Sequence, residues 1–195
     1  MYTIPISVVI DNVEYGIRNN GDYRVILDCF SALQDVDLTE QERVFASLII
    51  FYQDLNNLED VLIQTNLVER VSEMYKFFNC GDTDTIGTKV PYKLIDWEQD
   101  SQLISSAINA VANTEIRSSP YIHWWTFMGY FSAIGKSLLS NVITIREKLL
   151  KGKELEKYER EFRRDNPKYF VWNSKSVDDA EADKLLQELW NNNGE

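Results

Sequence analysis

A chain of 195 residues, 44% hydrophobic and 26% charged, is long enough to bury a core without metal or disulfide staples, which excludes a disordered or fibrous protein. Its 31 acids against 20 Lys and Arg leave a formal charge of −11, which opposes binding to phosphate backbones and to anionic lipid. Two cysteines, Cys29 and Cys80, make no disulfide framework, and the opening residues have neither the basic start nor the long apolar run of a signal peptide. A reduced, cytoplasmic protein is expected. The apolar segments at 48–52 and 121–134 fall short of the ~20 residues that span a bilayer, so no membrane partner is expected.

The first element is a β-hairpin: two β-branched or aromatic runs, Ser7–Ile10 and Val13–Ile17, flank the polar pair Asp11-Asn12. After the break at Asn19-Asn20-Gly21, Asp22 caps a helix whose apolar positions Val25, Ile26, Cys29, Phe30 and Leu33 recur at helical spacing. Thr39 with Glu42 three residues on is a capping box, and Val44, Phe45, Leu48, Ile49 and Tyr52 share one face of the helix it opens. A third helix is predicted over Leu58–Phe78 with Cys80-Gly81 as its stop, followed by a surface loop over Asp82–Lys93.

Asp96 is predicted to cap a fourth helix containing Trp97, Ile104, Ala107, Ile108 and Val111. Ser119-Pro120 opens a fifth that runs to about Leu139 and is apolar nearly all round, with Trp125 and Phe131 as predicted core residues. Charge then changes sign: residues 145–172 hold 9 bases and 6 acids, against 9 and 19 in residues 1–144. The basic part reads as one exposed amphipathic helix carrying Leu155, Tyr158 and Phe162 on a narrow stripe, stopped at Asn166-Pro167. The acidic tail places Leu185, Leu186, Leu189 and Trp190 on one side of a short final helix. The expected fold is therefore mainly α, a compact multi-helix domain over residues 1–145 with a short N-terminal β-hairpin. A basic helical extension over 146–172 and an acidic tail over 173–195 complete it.

No catalytic, cofactor or metal site is expected. One histidine removes histidine clusters, and the two cysteines lack paired zinc spacing. Residues 81–89 imitate a phosphate loop, but the spacing between the glycines is one too long and Gly-Thr-Lys stands where Gly-Lys-Ser/Thr is needed. As a calcium loop the same stretch has Ile86 at the fifth position and Lys93 in place of the bidentate glutamate. His123, followed by Trp124 and Trp125 with no acid nearby in sequence, reads as a hydrogen-bonded histidine in or beside the core. Asp96, Glu98 and Asp100 read as helix-start acids, and Cys80 as a structural thiol.

Five segments occur in a particular order: Tyr15-Gly16-Ile17-Arg18-Asn19-Asn20, Asp22-Tyr23-Arg24, Tyr75-Lys76-Phe77-Phe78-Asn79-Cys80-Gly81, Asp96-Trp97-Glu98-Gln99-Asp100 and His123-Trp124-Trp125-Thr126-Phe127. In that order, over roughly residues 5–170, the chain resembles the bacteriophage Gp15-like family. Its members are encoded just upstream of the tape-measure gene in long-tailed phages and prophages of Gram-positive bacteria. The linker before Asp96 is shorter than is usual there, and the tail after Trp172 has no counterpart. The resemblance implies a tail assembly chaperone that binds the tape-measure protein, helps recruit tail-tube subunits, works in the cytoplasm of the bacterial host and is absent from the mature virion. It transfers no catalytic residue. The candidate partner-binding residues are Leu155, Tyr158, Phe162, Leu185, Leu189 and Trp190, for the phage partners or for a second copy in a homo-oligomer. A structural virion protein of the head–tail connector or tail terminator type is the alternative, and an enzyme a distant third.

Overall fold

The computed structural model describes residues 3–82 and 94–172. The predicted loop at 82–93 and the predicted final helix with Leu185, Leu189 and Trp190 lie wholly or almost wholly outside the described residues. The described chain is mostly helical, with eight α-helices and one two-stranded sheet, as the periodicity predicts. It forms two compact units: residues 3–82 with 121–128, and residues 94–120 with 129–172.

In the first unit β1 (Ser7–Ile10) pairs antiparallel with β2 (Val13–Gly16), and Ile10 faces Val13 across a two-residue turn. Asp11 and Asn12 take φ of 51° and 64°, the left-handed pair that a right-twisted hairpin requires and that short polar side chains tolerate. Val8 and Ile10 are buried while Val9 points outward, the alternation of a strand with one wet face. A 3-10 turn over Arg18–Gly21 leads to α1 (Tyr23–Leu33), which Asp22 caps by accepting from Arg24 N. α2 (Glu40–Phe51) opens with the Thr39/Glu42 capping box. Its C-terminal carbonyls are collected by one side chain: the Arg18 guanidinium donates to Ile49, Ile50, Tyr52 and Leu55 oxygens at 2.8–3.2 Å, a cation at the negative end of a helix.

The single helix predicted over Leu58–Phe78 is two helices, α3 (Leu58–Leu62) and α4 (Leu67–Phe78). The apolar period is continuous across the break, but Gln64-Thr65-Asn66 is not helical, because its polar side chains are committed elsewhere. Gln64 Nε2 donates to Asp60 O, while Asn66 donates to the Tyr15 hydroxyl and accepts from Arg70 Nε. Ile17, Ile26, Leu48, Phe51, Tyr52, Leu55 and Met74 form the dry centre of this unit.

In the second unit a turn at 97–100 precedes α5 (Ser101–Ala112), so Trp97 lies before the fourth helix rather than in it. The predicted helix from Pro120 to Leu139 is α6 (Trp124–Ser132), whose residues 124–128 belong to the first unit, and Leu138 already belongs to α7 (Leu138–Leu150). Ser137 and Ser140 form a capping box that starts α7 and ends any continuity with α6. The basic helix predicted through 146–172 is also divided. Gly152, at φ +62°, closes α7 in a Schellman motif, with its N–H on Leu149 O and Lys153 N–H on Lys148 O. The chain restarts as α8 (Lys157–Asp165) followed by a 3-10 turn over Pro167–Tyr169. Leu155 thus precedes α8 and is not part of a stripe along it. Ile104, Ile108, Ile116, Leu139, Val142 and Ile145 are the buried apolar residues of this unit.

Candidate functional site

Three of the sequence motifs meet in the first unit, and the contact begins with the end of α4. The last carbonyls of any helix lack intrahelical partners. Here the Schellman motif takes two of them, with Gly81 N–H on Lys76 O and Cys80 N–H on Phe77 O, and it is Cys80 (φ +56°) that holds the left-handed position predicted for glycine. Two indoles complete the cap. Trp124 Nε1 donates to Phe78 O at 2.9 Å and Trp125 Nε1 to Phe77 O at 3.0 Å. Consecutive tryptophans at the start of α6 therefore seal the two consecutive phenylalanines that end α4. Trp124 is 1% exposed, edge-on to Phe30 and nearly parallel to Phe127.

That geometry corrects the predicted core. Trp125 and Phe131 are half-buried, and Trp124 and Phe127 take the interior positions. The helix is nine residues long instead of twenty, so it turns one face inward, and Trp125 lies across the rim against Phe77 and Gly81. Helix entry is set by His123, not by Pro120. Its Nδ1 accepts from Trp125 N at 3.0 Å, and its Nε2 bonds Pro5 O at 2.9 Å. Asp22 ties the same region to α1: Oδ2 accepts from Ile122 N, Oδ1 from Arg24 N, and Tyr23 N donates to Ile122 O.

Gly21 shows how tightly these segments meet. Its φ is +76°, and a Cβ there would lie 2.7 Å from Phe77 Cζ and 3.1 Å from His123 Nε2. Gly21→Ala is expected to lower stability by about 1–3 kcal/mol, from strain and overpacking together. Gly152→Ala, at φ +62° but with no atom within 4 Å, isolates the backbone part at about 1 kcal/mol. Chemical denaturation of the two variants side by side checks the difference.

The fourth motif serves the second unit. Asp96 Oδ1 accepts from Glu98 and Gln99 N–H groups, the predicted cap, although of a turn. Asp100 does more than favour a helix start. It is 1% exposed and forms a two-pronged ion pair with Arg146, at 2.5 and 3.0 Å. Arg146 also donates to Leu94 O and Tyr169 O and lies 4.2 Å from the Trp172 ring centroid. A second buried carboxylate, Glu159, receives Lys148 Nζ at 2.6 and 2.8 Å, which holds it below the usual carboxylate range. In the first unit Arg70 fills a comparable place, paired to Asp54 and stacked on the Tyr15 and Tyr52 rings. Sequence reasoning missed Arg18, Arg70 and Arg146, since a single arginine in an apolar period looks like an exposed residue. The signal that was present is the set of nearby carbonyl-rich helix ends and acids, which only become neighbours after folding.

These arrangements satisfy buried groups, and burial lowers the His123 pKa. Burial pushes the Cys29 thiol up to about 12 and raises Cys80 as well, the opposite of a reactive thiolate. Among the described residues no group of three or more His, Cys, Asp or Glu is placed to hold a metal ion, and no helix is long and apolar enough to cross a membrane. Of the candidate partner-binding residues, Leu155 is buried, Tyr158 is 61% exposed, and Phe162 is half-buried with its ring edge-on to Phe170 at 6.1 Å. Exposed apolar side chains among the described residues include Leu58, Leu62 and Ile63, on and just after α3.

The model of the family described as Bacteriophage Gp15 protein matches residues 2–170. No curated protein and no solved structure matches the chain.

Proposed function

The chain belongs to the bacteriophage Gp15 protein family, and from that premise we propose that it is a tail assembly chaperone, which binds the tape-measure protein and helps recruit tail-tube subunits during tail morphogenesis. Membership points to a bacteriophage structural or assembly protein, and the single observation that carries it is the match over residues 2–170. The chaperone role is the finer reading. It draws support from the order of the motif segments and from exposed apolar side chains, Leu58, Leu62 and Ile63 in the first unit and Tyr158 in the second, which suit transient contact with a long partner helix. A net charge of −11 keeps such a carrier soluble while its cargo is apolar. In this reading the protein acts in the host cytoplasm without turnover and leaves before the tail is complete.

Co-expression of the tape-measure protein with and without this chain tests it. The expected result is soluble tape-measure protein, co-purifying with the chain, only in the first case. Mass spectrometry of purified virions is the companion measurement, with the chain expected to be absent. Stoichiometric retention in the particle would replace the chaperone by a connector or terminator of the tail.

A further inference from the structure

The one histidine of the chain is engaged at both ring nitrogens. Trp125 N–H donates to Nδ1, so Nδ1 presents a lone pair and the proton of the neutral ring sits on Nε2, where it is donated to the Pro5 carbonyl. The ring is 2% exposed, edge-on to Phe77 and to Trp125, and the Gly21 backbone closes over Nε2. One imidazole therefore joins three things: the segment entering β1, the first turn of α6, and, through the adjacent Trp124 and Trp125 indoles, the C-terminus of α4.

We propose that His123 is a proton-operated latch: neutral, it pins Pro5 and caps α6; protonated, it releases the first turn of α6 and loosens the two-indole seat on α4. The mechanism is steric as well as electrostatic. A second proton must go onto Nδ1, which then points an N–H at the Trp125 N–H, and two donors cannot share that bond. Of the elements around the ring, α4 presents Phe77, and the N-terminal segment and Gly21 present backbone. The charged group that acts on the ring is Asp22, which favours the cation. Its carboxylate is already held by Arg24 and by the N–H groups of Arg24 and Ile122. Desolvation opposes the cation and outweighs it, so the folded ring titrates below its ordinary value. The sign follows: the unfolded chain, with its histidine near 6.5, binds the proton first as pH falls. Stability is present above about 6.5 and is lost as pH falls through the window down to the folded value, by at most tenfold in the folding constant per pH unit for one proton.

The latch is independent of the chaperone reading, and the lone imidazole makes it directly observable. Nuclear magnetic resonance of the full chain labelled with nitrogen-15 histidine is expected to show the Nε2–H tautomer at pH 7.5 and a midpoint below 6.5. An Nδ1–H tautomer, or a midpoint at or above 6.5, overturns the proposal without any variant having to fold. Urea unfolding at pH 7.5 and 5.5 then compares wild type with His123→Asn, whose amide oxygen can cap Trp125 N–H but does not titrate. Wild type is expected to lose more stability on acidification than the variant. Its Trp124 and Trp125 indole protons should exchange several-fold faster with water at pH 5.5. Equal losses in the two proteins, or indole protons indifferent to pH, would sink the latch.

Discussion

Trp124→Ala is expected to be the most damaging single truncation in the first unit, lowering stability by about 3–5 kcal/mol or more. Two losses coincide at this side chain. The first is apolar: a ring 1% exposed, packed against Phe30 and Phe127, leaves a large cavity when it is removed. The second is polar, because the Phe78 carbonyl at the end of α4 loses its indole partner, and a buried unsatisfied acceptor costs about 1–3 kcal/mol. Trp124→Phe separates the two, keeping much of the volume while orphaning the carbonyl, and should fall between wild type and alanine. Trp125→Ala removes an indole hydrogen bond at Phe77 O, which keeps the Cys80 N–H, and truncates a half-buried ring, so its effect should be smaller. The measurement is the urea midpoint at constant slope. If Trp125→Ala were as damaging as Trp124→Ala, the assignment of core and rim on α6 would be wrong.

Arg146→Met should cost the second unit about 3–5 kcal/mol, because it strands the Asp100 carboxylate, 1% exposed, without its cation. The pair itself is worth far less than that figure, since both charges have already been taken out of water to make it. Asp100→Leu combined with Arg146→Met should therefore recover a large part of the loss. Recovery should stop short of wild type, because Leu94 O and Tyr169 O lose the donors that Arg146 gives them. A double-mutant cycle on the midpoint gives the coupling. Simple additivity of the two single losses would mean that the two side chains do not act as a unit.

How much of this was legible beforehand differs by element. The hairpin turn, the Asp22 cap and the Thr39/Glu42 box depend on residues within four positions of each other, and each stands where its local pattern puts it. Helix type was also local: the apolar periods predict six helices over the described residues, and breaks within and between them make eight. Three breaks were not visible. Gln64–Asn66 interrupts an unbroken apolar period because Asn66 is drawn to Tyr15 and Arg70, 51 and 4 residues away. α6 ends at Ser132 and α7 begins with a serine capping box that no Glu or Gln advertised. Gly152 stops α7 inside a charged stretch whose composition alone reads as one helix.

The candidate site divides along the same line. From residues alone came the family and the mainly helical class with its N-terminal hairpin. Only the tertiary structure decided that the Phe77-Phe78 and His123-Trp124-Trp125 segments meet. Two helix-end carbonyls and two indoles are 46 and 48 residues apart in the chain, and nothing in either segment's own periodicity announces that one will cap the other. The three arginines are alike in this respect. A guanidinium is tolerated inside only where acceptors converge on it: four backbone carbonyls around half-buried Arg18, the Asn66 amide oxygen and the Asp54 carboxylate around Arg70, and carbonyls with the Asp100 carboxylate around Arg146. Short-range capping and periodicity act before the chain has folded and can be read from it, whereas desolvated polar partnerships exist only once distant ends have been brought together.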